Sequence, residues 1–196
     1  MNSFVLAVDI GTTSTKVLAV QSSGAVLAQH QVYYPTFYPQ PGFAEQNPNE
    51  ILAAVVAGLK AIESEVDISS AKGLAFSSAM HSLMAVDENG AALTPLIIWA
   101  DTRSSAQAKQ LRNSPVGLQL QHQTGTPVHP MSPLCKLMWL RESEPNVFIQ
   151  AHKFISIKEF VWYHLTGEYC IDYSIASATG LFDIHQRAWS KKALEF

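Results

Sequence analysis

The sequence predicts an α/β fold in which strands and helices pack in layers, and three observations support this prediction. The first thirty-odd residues contain three apolar runs that are separated by two short polar turns, which is typical of an antiparallel meander. A helical face follows, marked by Ile51, Leu52, Val55, Leu59 and Ile62. Another strand is predicted over residues 72–77. The order strand, helix, strand favours a layered α/β architecture over an all-β one.

The composition limits the classes of protein that the chain can belong to. It has 196 residues, 47% hydrophobic content and a net charge of -3, which suit one globular domain and disfavour nucleic acid as the main partner. Cys135 and Cys170 show no metal-ligand spacing and form no disulfide framework, so we expect a reduced, cytoplasmic setting. No apolar run reaches the ~18 residues of a membrane span, and residues 1–3 carry no basic start of a signal peptide.

The amino-terminal elements follow from local patterns. Strands are predicted over residues 4–8, 16–20 and 25–34, because each is an apolar or alternating run bounded by turn residues. A loop with three prolines then breaks regular structure. Asn47 is a suitable cap for the helix that follows, since Pro48 fits its first position and Glu50 lies where a capping box needs a carboxylate.

The second half of the chain has mixed patterns that turn mainly helical after Thr102. Apolar runs predict further strands, of which the one over residues 72–77 is expected to be buried, and helical spacing or a terminal glycine such as Gly167 predicts helices. The predicted strands cover residues 72–77, 83–86, 96–99 and 153–157. The predicted helices cover residues 103–112, 132–142, 158–165 and 191–196.

The first motif that could carry chemistry lies between the first two strands, over residues 9–16. Gly11 lets the backbone approach a ligand closely, and successive backbone N–H groups in such a turn can bind an anion. The hydroxyls of Thr12, Thr13 and Ser14 could donate to phosphate oxygens, and Asp9 could hold Mg²⁺ directly or through water. The alternative is an ordinary polar hairpin turn. No P-loop and no dinucleotide-binding glycine motif occurs in the sequence.

Two further polar segments follow predicted strands, in the position where α/β folds bind ligands. Ser78, Met80 and His81 follow the strand over residues 72–77, and His81 could bind a hydroxyl or a carboxylate. The alternative for His81 is a structural histidine in a turn.

Lys136 and Lys158 lie on predicted helices, and we expect both to be solvated.

The third segment contains Trp99, Asp101 and Arg103. The flat apolar face of Trp99 is of the kind that stacks on a sugar ring, and the two charged side chains could bind hydroxyls or anions. The alternative is a buried tryptophan that is followed by an intramolecular Asp–Arg pair.

In this order, the segments resemble the amino-terminal domain of the FGGY carbohydrate kinases. That family belongs to the actin, hexokinase and Hsp70 superfamily, so the resemblance implies a ribonuclease H-like α/β domain with a mixed sheet flanked by helices. It extends over essentially the whole chain. The segments that carry it are residues 9–16, 42–48, 80–81, 99–103, 124–125, 133–140, 165–168, 172–174, 180–183 and 189–190.

The resemblance implies transfer of the ATP γ-phosphoryl group to a sugar hydroxyl. Asp9 would then lie near the metal ion, and Gly11, Thr12, Thr13 and Ser14 would line the phosphate site. The sugar or sugar-acid pocket would contain Ser78, Met80, His81, Trp99, Asp101 and Arg103. ATP and Mg²⁺ are the implied cosubstrate and cofactor, and a small-molecule sugar is the implied partner.

Residues 77–82 and 125–133 look most like the gluconokinase branch of the family. Xylulokinases usually carry Gln and Gly around the Met-His pair, where this chain has Ala79 and Ser82. Gluconate is an anion, and Arg103, His81 and His129 are candidate partners for its carboxylate. Xylulose or another sugar stays open as the substrate, and so does a non-catalytic ATP-binding module of the same superfamily.

The family's general base is an Asp in a Gly-rich segment, and no such segment follows Gly180 here. We therefore expect the base to lie beyond Phe196, together with the domain that binds adenosine. On this interpretation the chain is an incomplete amino-terminal domain that is inactive alone. The sequence leaves the oligomeric state open, a homodimer included.

Overall fold

The structure is a computed structural model, and it describes residues 3–195. Within these residues the chain forms ten strands and eight α-helices. The strands are β1 (Phe4–Ile10), β2 (Ser14–Gln21), β3 (Val26–Tyr33), β4 (Glu45–Gln46), β5 (Ala71–Ser78), β6 (Met84–Val86), β7 (Leu96–Ile97), β8 (Lys153–Ile155), β9 (Phe182–Asp183) and β10 (Ala188–Trp189). The helices are α1 (Pro48–Glu63), α2 (Ser105–Arg112), α3 (Pro115–Thr124), α4 (Pro133–Ser143), α5 (Pro145–Gln150), α6 (Ile157–Thr166), α7 (Tyr173–Ser177) and α8 (Lys191–Glu195).

The chain divides into two compact units. The first unit runs to Thr36 and resumes over Asn47–Ala79, and the second contains Phe37–Gln46 and the chain from Met80 onward. None of the helices within residues 3–195 has both the length and the apolar character that a membrane span needs.

The first unit contains a mixed four-stranded sheet in the order β3-β2-β1-β5. The strands β1, β2 and β3 pair antiparallel, which confirms the predicted meander. The strand β5 pairs parallel with β1 after the crossover through α1. The predicted α/β class with a mixed sheet is therefore confirmed.

Helix α1 packs on the sheet through its apolar face. Val55 and Ile62 are fully buried on this face, and Val17 is fully buried on β2. Gly58 is required at the contact, because a Cβ atom there would lie 2.5 Å from Cγ2 of Val17. Asn47 caps the helix as predicted, since its side chain accepts a hydrogen bond from the backbone N–H of Asn49.

The prediction that residues 72–77 form a buried strand is wrong in its burial, although the strand itself is present as β5. Most of its residues are exposed, and Leu74 keeps 41% of its surface accessible. The physical reason is that β5 lies at the edge of the sheet, next to β1, and other elements leave most of its side chains uncovered within the described residues.

The second unit is mainly helical, with three short two-stranded sheets that pair β4 with β7, β6 with β8, and β9 with β10. One core cluster joins α2, α3 and α4 through Leu111, Leu120, Cys135 and Met138. The predicted helix over residues 158–165 is confirmed as α6. It begins with a capping box between Ser156 and Glu159 and ends at Gly167 in the left-handed conformation.

Several boundaries in the second unit differ from the sequence-based prediction. Helix α3 was not predicted, although Ser114 caps its start and Gly125, at a φ of 69°, ends it. The strand predicted over residues 96–99 ends at Ile97, because its ladder pairs comprise Leu96 and Ile97 with β4 and a bridge from Ile97 to Leu83. The helix predicted over residues 191–196 is present as α8 up to Glu195, and Phe196 lies outside the described residues.

Candidate functional site

Residues 9–14, which we call the Asp9 turn, connect β1 to β2 in the first unit. The backbone N–H of Gly11 donates to the carbonyl of Ser14 at 2.9 Å and closes the turn. A Cβ atom at position 11 would lie 3.1 Å from that carbonyl oxygen, which is tighter than ordinary van der Waals contact. Glycine therefore allows the two strand ends to approach this closely.

Tyr34 holds the Asp9 turn from the end of β3, and sequence analysis did not identify this residue. Its hydroxyl donates to the carbonyl of Gly11 at 2.7 Å and lies 3.3 Å from Oγ1 of Thr15. Its backbone N–H donates to the carbonyl of Thr13 at 3.2 Å. Burial raises the pKa of the Tyr34 hydroxyl, so it remains a proton donor at neutral pH. An aromatic residue with a polar tip, placed just before Pro35, was the available signal.

The polar side chains of the Asp9 turn differ in exposure. Ser14 is half-buried and its Oγ accepts a hydrogen bond from Gln31 at 2.8 Å, whereas Thr13 is exposed and Thr12 half-buried. Asp9 is exposed at the carboxyl end of β1, where it pairs across the strands with Lys16 and Ser77.

The Asp9 carboxylate fits a magnesium ion that is shared with a phosphate ligand. Within residues 3–195, no group of three or more His, Cys, Asp or Glu side chains could hold a metal ion on its own. Mg²⁺ commonly binds one or two carboxylates and takes its other ligands from water and substrate phosphates. A single exposed carboxylate beside a turn of hydroxyl and backbone N–H donors matches that pattern.

The predicted sugar-site residues fall into both units. Ser78 ends β5 and pairs in register with Ile10, so the structure places it beside the Asp9 turn. Its hydroxyl donates to the carbonyl of Ala79 at 3.1 Å. The other five predicted residues lie in the second unit, on residues 80–82 and 97–103, which we call the pocket segments.

His81 has a strained backbone and a fixed ring. Its φ is 65°, in the left-handed region of backbone conformation that residues other than glycine rarely adopt. Nδ1 lies 3.0 Å from the carbonyl oxygen of Ala178. Because a carbonyl only accepts, Nδ1 carries the hydrogen and Nε2 of the neutral ring is an acceptor. Burial lowers the pKa of His81, which favours this neutral form.

Asp101 and Arg103 form a buried ion pair within the second unit. The guanidinium contacts both carboxylate oxygens, with Nη2 2.7 Å from Oδ2. Asp101 is 1% exposed and also accepts hydrogen bonds from the backbone N–H groups of Ala44 and Arg103. Their predicted role in substrate binding stays a prediction, but the structure shows that their polar atoms are engaged inside the protein.

Arg103 also connects residues 42–46 to the pocket segments through an ion pair and a contact with an aromatic ring. Its Nη2 atom donates to Glu45 at 2.6 Å, and its guanidinium lies 3.8 Å from the centroid of the Phe43 ring. The backbone N–H of Thr102 donates to the carbonyl of Gly42 at 2.7 Å. The ion pair is therefore a structural clamp for two loops of the second unit.

Trp99 and Met80 provide the exposed apolar surface of the pocket segments. Trp99 is 49% exposed and Met80 is 39% exposed, which is high for such large side chains. Trp99 follows Ile98, whose backbone N–H donates to the carbonyl of Ala44 at 3.2 Å. A rigid backbone thus carries a partly exposed aromatic face, as a sugar-stacking residue requires.

The expectation that Lys136 is solvated is wrong. Its side chain is fully buried on α4, and Nζ donates to the carbonyls of His81, Ile98 and Ile97 at 2.6, 2.8 and 3.3 Å. The physical reason is that α4 is buried on several sides, so that Leu134, Cys135 and Lys136 are all inaccessible in succession. Lys158, by contrast, is partly exposed and pairs with Asp172.

His129, the third candidate partner for a substrate carboxylate, is exposed in the second unit. Its Nδ1 atom accepts a hydrogen bond from the backbone N–H of Met131 at 3.2 Å. In the neutral ring the hydrogen therefore lies on Nε2, which can act as a donor.

Comparison with known proteins connects this geometry to one class of enzymes. Residues 4–196 match the N-terminal domain of the FGGY family of carbohydrate kinases. The chain is 41% identical over 194 residues to a gluconokinase of Bacillus subtilis (strain 168), covering 99% of this chain and 38% of that protein. It is 33% identical over 193 residues to a xylulose kinase of Staphylococcus xylosus, covering 98% and 40%.

A solved structure shows the same fold. The crystal structure of gluconate kinase from Lactobacillus acidophilus superimposes with a TM-score of 0.95 at 31% identity, covering 100% of this chain and 39% of that one. The chain therefore has the fold of the sugar kinases. It belongs to the FGGY family of carbohydrate kinases and spans about 38% of the length of the curated gluconokinase that it matches.

Proposed function

We propose that this chain is the amino-terminal part of an ATP-dependent sugar kinase that phosphorylates gluconate to 6-phosphogluconate. The observation that carries the proposal is the arrangement of His81, whose ring is fixed by Ala178 so that Nε2 is a neutral acceptor. A sugar hydroxyl can donate to such an acceptor, and the exposed face of Trp99 can stack on the carbon chain. The pocket segments are the substrate site in this proposal.

The proposed reaction joins a sugar hydroxyl oxygen to the γ-phosphorus of ATP. The bond between that phosphorus and the β-γ bridging oxygen breaks, ADP leaves, and the hydroxyl proton passes to a general base that we expect beyond Phe196. The chemistry of such transfers is mainly positioning and charge stabilisation. Mg²⁺, when bound, would neutralise charge on the phosphates, and Asp9 is the residue that would hold it.

The Asp9 turn is the proposed phosphate site. Gly11 permits a close turn, and Thr12, Thr13 and Ser14 add hydroxyl donors beside the backbone N–H groups. Tyr34 supports the turn by its hydrogen bond to the Gly11 carbonyl. We propose that the turn orients the γ-phosphoryl group while the pocket segments hold the sugar.

Gluconate is favoured over xylulose because the gluconokinase relative is 41% identical and the xylulose kinase relative is 33% identical. The hydrogen bonds of the three candidate residues support a proposal for the partner of the gluconate carboxylate. Arg103 is already neutralised by Asp101 and Glu45, which makes it the weakest of the three candidates. His81 offers only an acceptor nitrogen and cannot donate to a carboxylate, so His129, whose neutral ring carries an Nε2–H donor, is the partner that we propose. Xylulose stays the alternative substrate.

The test is a coupled assay of ADP release by the full-length gene product with ATP, Mg²⁺ and each of gluconate, xylulose and glycerol. We expect gluconate to give the largest kcat/KM. A larger kcat/KM for xylulose would show that the proposed substrate is wrong, while the proposed reaction, phosphorylation of a sugar by ATP, would still hold. Binding of ATP without phosphorylation of any sugar would instead favour a non-catalytic ATP-binding module and contradict the proposal.

The free thiols of Cys135 and Cys170 agree with the cytoplasmic location that we propose for this enzyme. Cys135 is buried beside Lys136, and burial raises the pKa of its thiol to about 11, so it is unreactive at neutral pH. The proposed reaction therefore assigns no role to either cysteine.

A further inference from the structure

We propose that Lys136 is a positioning residue for the sugar site, because its ammonium group holds the main chain of both pocket segments in place. The inference rests on the proposed function, and it adds a residue that does not contact substrate itself. Lys136 would act through His81 and Trp99.

The hydrogen-bond geometry is that of a three-way junction. A lysine ammonium has three N–H donors and no acceptor. Nζ of Lys136 lies within hydrogen-bond distance of three main-chain carbonyls, those of His81, Ile97 and Ile98. Every donor thus has one partner, and two segments that are 16 residues apart in sequence are joined through one atom.

Burying the ammonium group of Lys136 is energetically unfavourable, which indicates that its three hydrogen bonds are needed to hold the two segments in this arrangement. A buried ammonium is unfavourable unless it is hydrogen-bonded or paired. Burial lowers the pKa of Lys136 to about 7, while the nearby Asp101 raises it and Arg103 lowers it further. Cys135 on the same helix and His81 on the facing segment are the other titratable groups around it.

The junction acts on the two residues that the sugar site needs. His81 has a φ of 65°, a conformation that persists only when its surroundings hold it. Two contacts do so: Lys136 at its carbonyl and the Ala178 carbonyl at its ring. On the other segment, Lys136 donates a hydrogen bond to the carbonyl of Ile98, the residue directly before Trp99. Loss of the ammonium would free both segments at once.

The experiment compares two substitutions on α4 in the full-length gene product. Lys136→Met removes the three donors but keeps a long apolar side chain. Met138→Ala is the matched control, since Met138 is buried on the same helix, in the cluster with Leu111 and Leu120, and has no N–H donor in its side chain. Lys136→Gln, which keeps two N–H donors, serves if the methionine variant does not fold.

We measure kcat and KM for gluconate and for ATP, and hydrogen exchange of residues 80–82 and 97–99. Lys136→Met should lower kcat/KM for gluconate on the order of 100-fold, because small displacements of binding groups have effects of that size. Its KM for ATP should stay unchanged, and exchange should rise in both segments. Lys136→Gln should be intermediate, and Met138→Ala should lower the melting temperature without these changes.

The outcomes separate this inference from the proposed function. If Lys136→Met changes the gluconate constants no more than Met138→Ala does, or leaves exchange in the two segments unaltered, the positioning role is wrong. If wild type phosphorylates no sugar, the proposed function fails. In that case the exchange data alone decide whether Lys136 holds the two segments.

Discussion

The Asp9 turn and the pocket segments are built in opposite ways. The turn consists of contiguous residues at the end of a hairpin, has polar side chains that are exposed or half-buried, and is closed by a backbone hydrogen bond between Gly11 and Ser14. The pocket segments are held together by buried polar groups, chiefly Lys136 and the Asp101–Arg103 pair. A contiguous motif is visible in the sequence, whereas a junction of distant carbonyls is not.

This contrast predicts different responses to substitution. Changes of the exposed side chains in the Asp9 turn, those of Asp9 and Thr13, should alter phosphate binding and leave the folded state nearly as stable as before. Changes in the buried polar groups of the pocket segments should destabilise the second unit and weaken sugar binding together. The predictions below test the contrast, beginning with the largest expected effect.

Asp9→Ala in the full-length gene product should reduce kcat by roughly 100-fold or more, because it removes the carboxylate that would hold Mg²⁺ at the reacting phosphate. The melting temperature should stay near that of wild type, since Asp9 is exposed. Glu65→Ala removes an exposed carboxylate elsewhere in the first unit and is the control. Steady-state turnover with gluconate measures the effect. If the Asp9→Ala enzyme is as fast as the control, the role of Asp9 in the phosphate site is wrong.

Arg103→Ala should cost about 3–5 kcal/mol of unfolding free energy, because it leaves two carboxylates without their buried partner. The Arg103 and Asp101 side chains are 5% and 0% exposed. Lys158→Ala breaks the more exposed pair with Asp172 and should cost only about 0–1 kcal/mol. Urea unfolding of the two variants measures the difference. Equal losses would show that the Asp101–Arg103 clamp is not a main support of the second unit.

The buried lysine also makes stability depend on pH. The pKa of Lys136 is about 7 in the folded chain and 10.5 when unperturbed, so the unfolded chain binds more protons between these values. The unfolding free energy of wild type, relative to Lys136→Met, should therefore rise as pH increases from 7 to 10. Urea unfolding at both pH values measures this difference. A difference that falls or stays constant would contradict burial of an ionisable lysine at this site.

Tyr34→Phe is the smallest change and sharpens the account of the Asp9 turn. It removes the hydroxyl that donates to the Gly11 carbonyl and should cost about 1 kcal/mol of stability. We also expect a modest rise in KM for ATP with no change in KM for gluconate. Tyr33→Phe is the matched control, because Tyr33 is the neighbouring residue and is 73% exposed. If the two variants have the same stability and the same KM for ATP, Tyr34 does not support the turn.

Most of the fold could be predicted from the sequence because its signals are local. Apolar runs separated by two tight turns predicted the meander, Asn47 and Pro48 predicted the start of α1, and Gly167 predicted the end of α6. The exposure of β5 could not be predicted, because apolar composition shows that a strand can be buried but not whether anything covers it.

The candidate site could be predicted only in part, for the same reason. The residues of the Asp9 turn and the pocket segments follow strands, and their types suggest their chemistry. The burial of Lys136 could not be predicted, because a lysine on a helix is normally solvated and its three partners lie 38, 39 and 55 residues away. The strained φ of His81 likewise depends on contacts made by distant residues.

The most direct test of the division between the two regions is the effect of His81→Gln on the two Michaelis constants of the full-length gene product, with His152→Gln as a control at an exposed site. The account predicts that KM for gluconate rises roughly tenfold, since a charge-free hydrogen bond is worth about 1 kcal/mol and the ring also orders its segment. KM for ATP should stay at the wild-type value. An unchanged KM for gluconate, or an equal rise in both constants, would contradict the account.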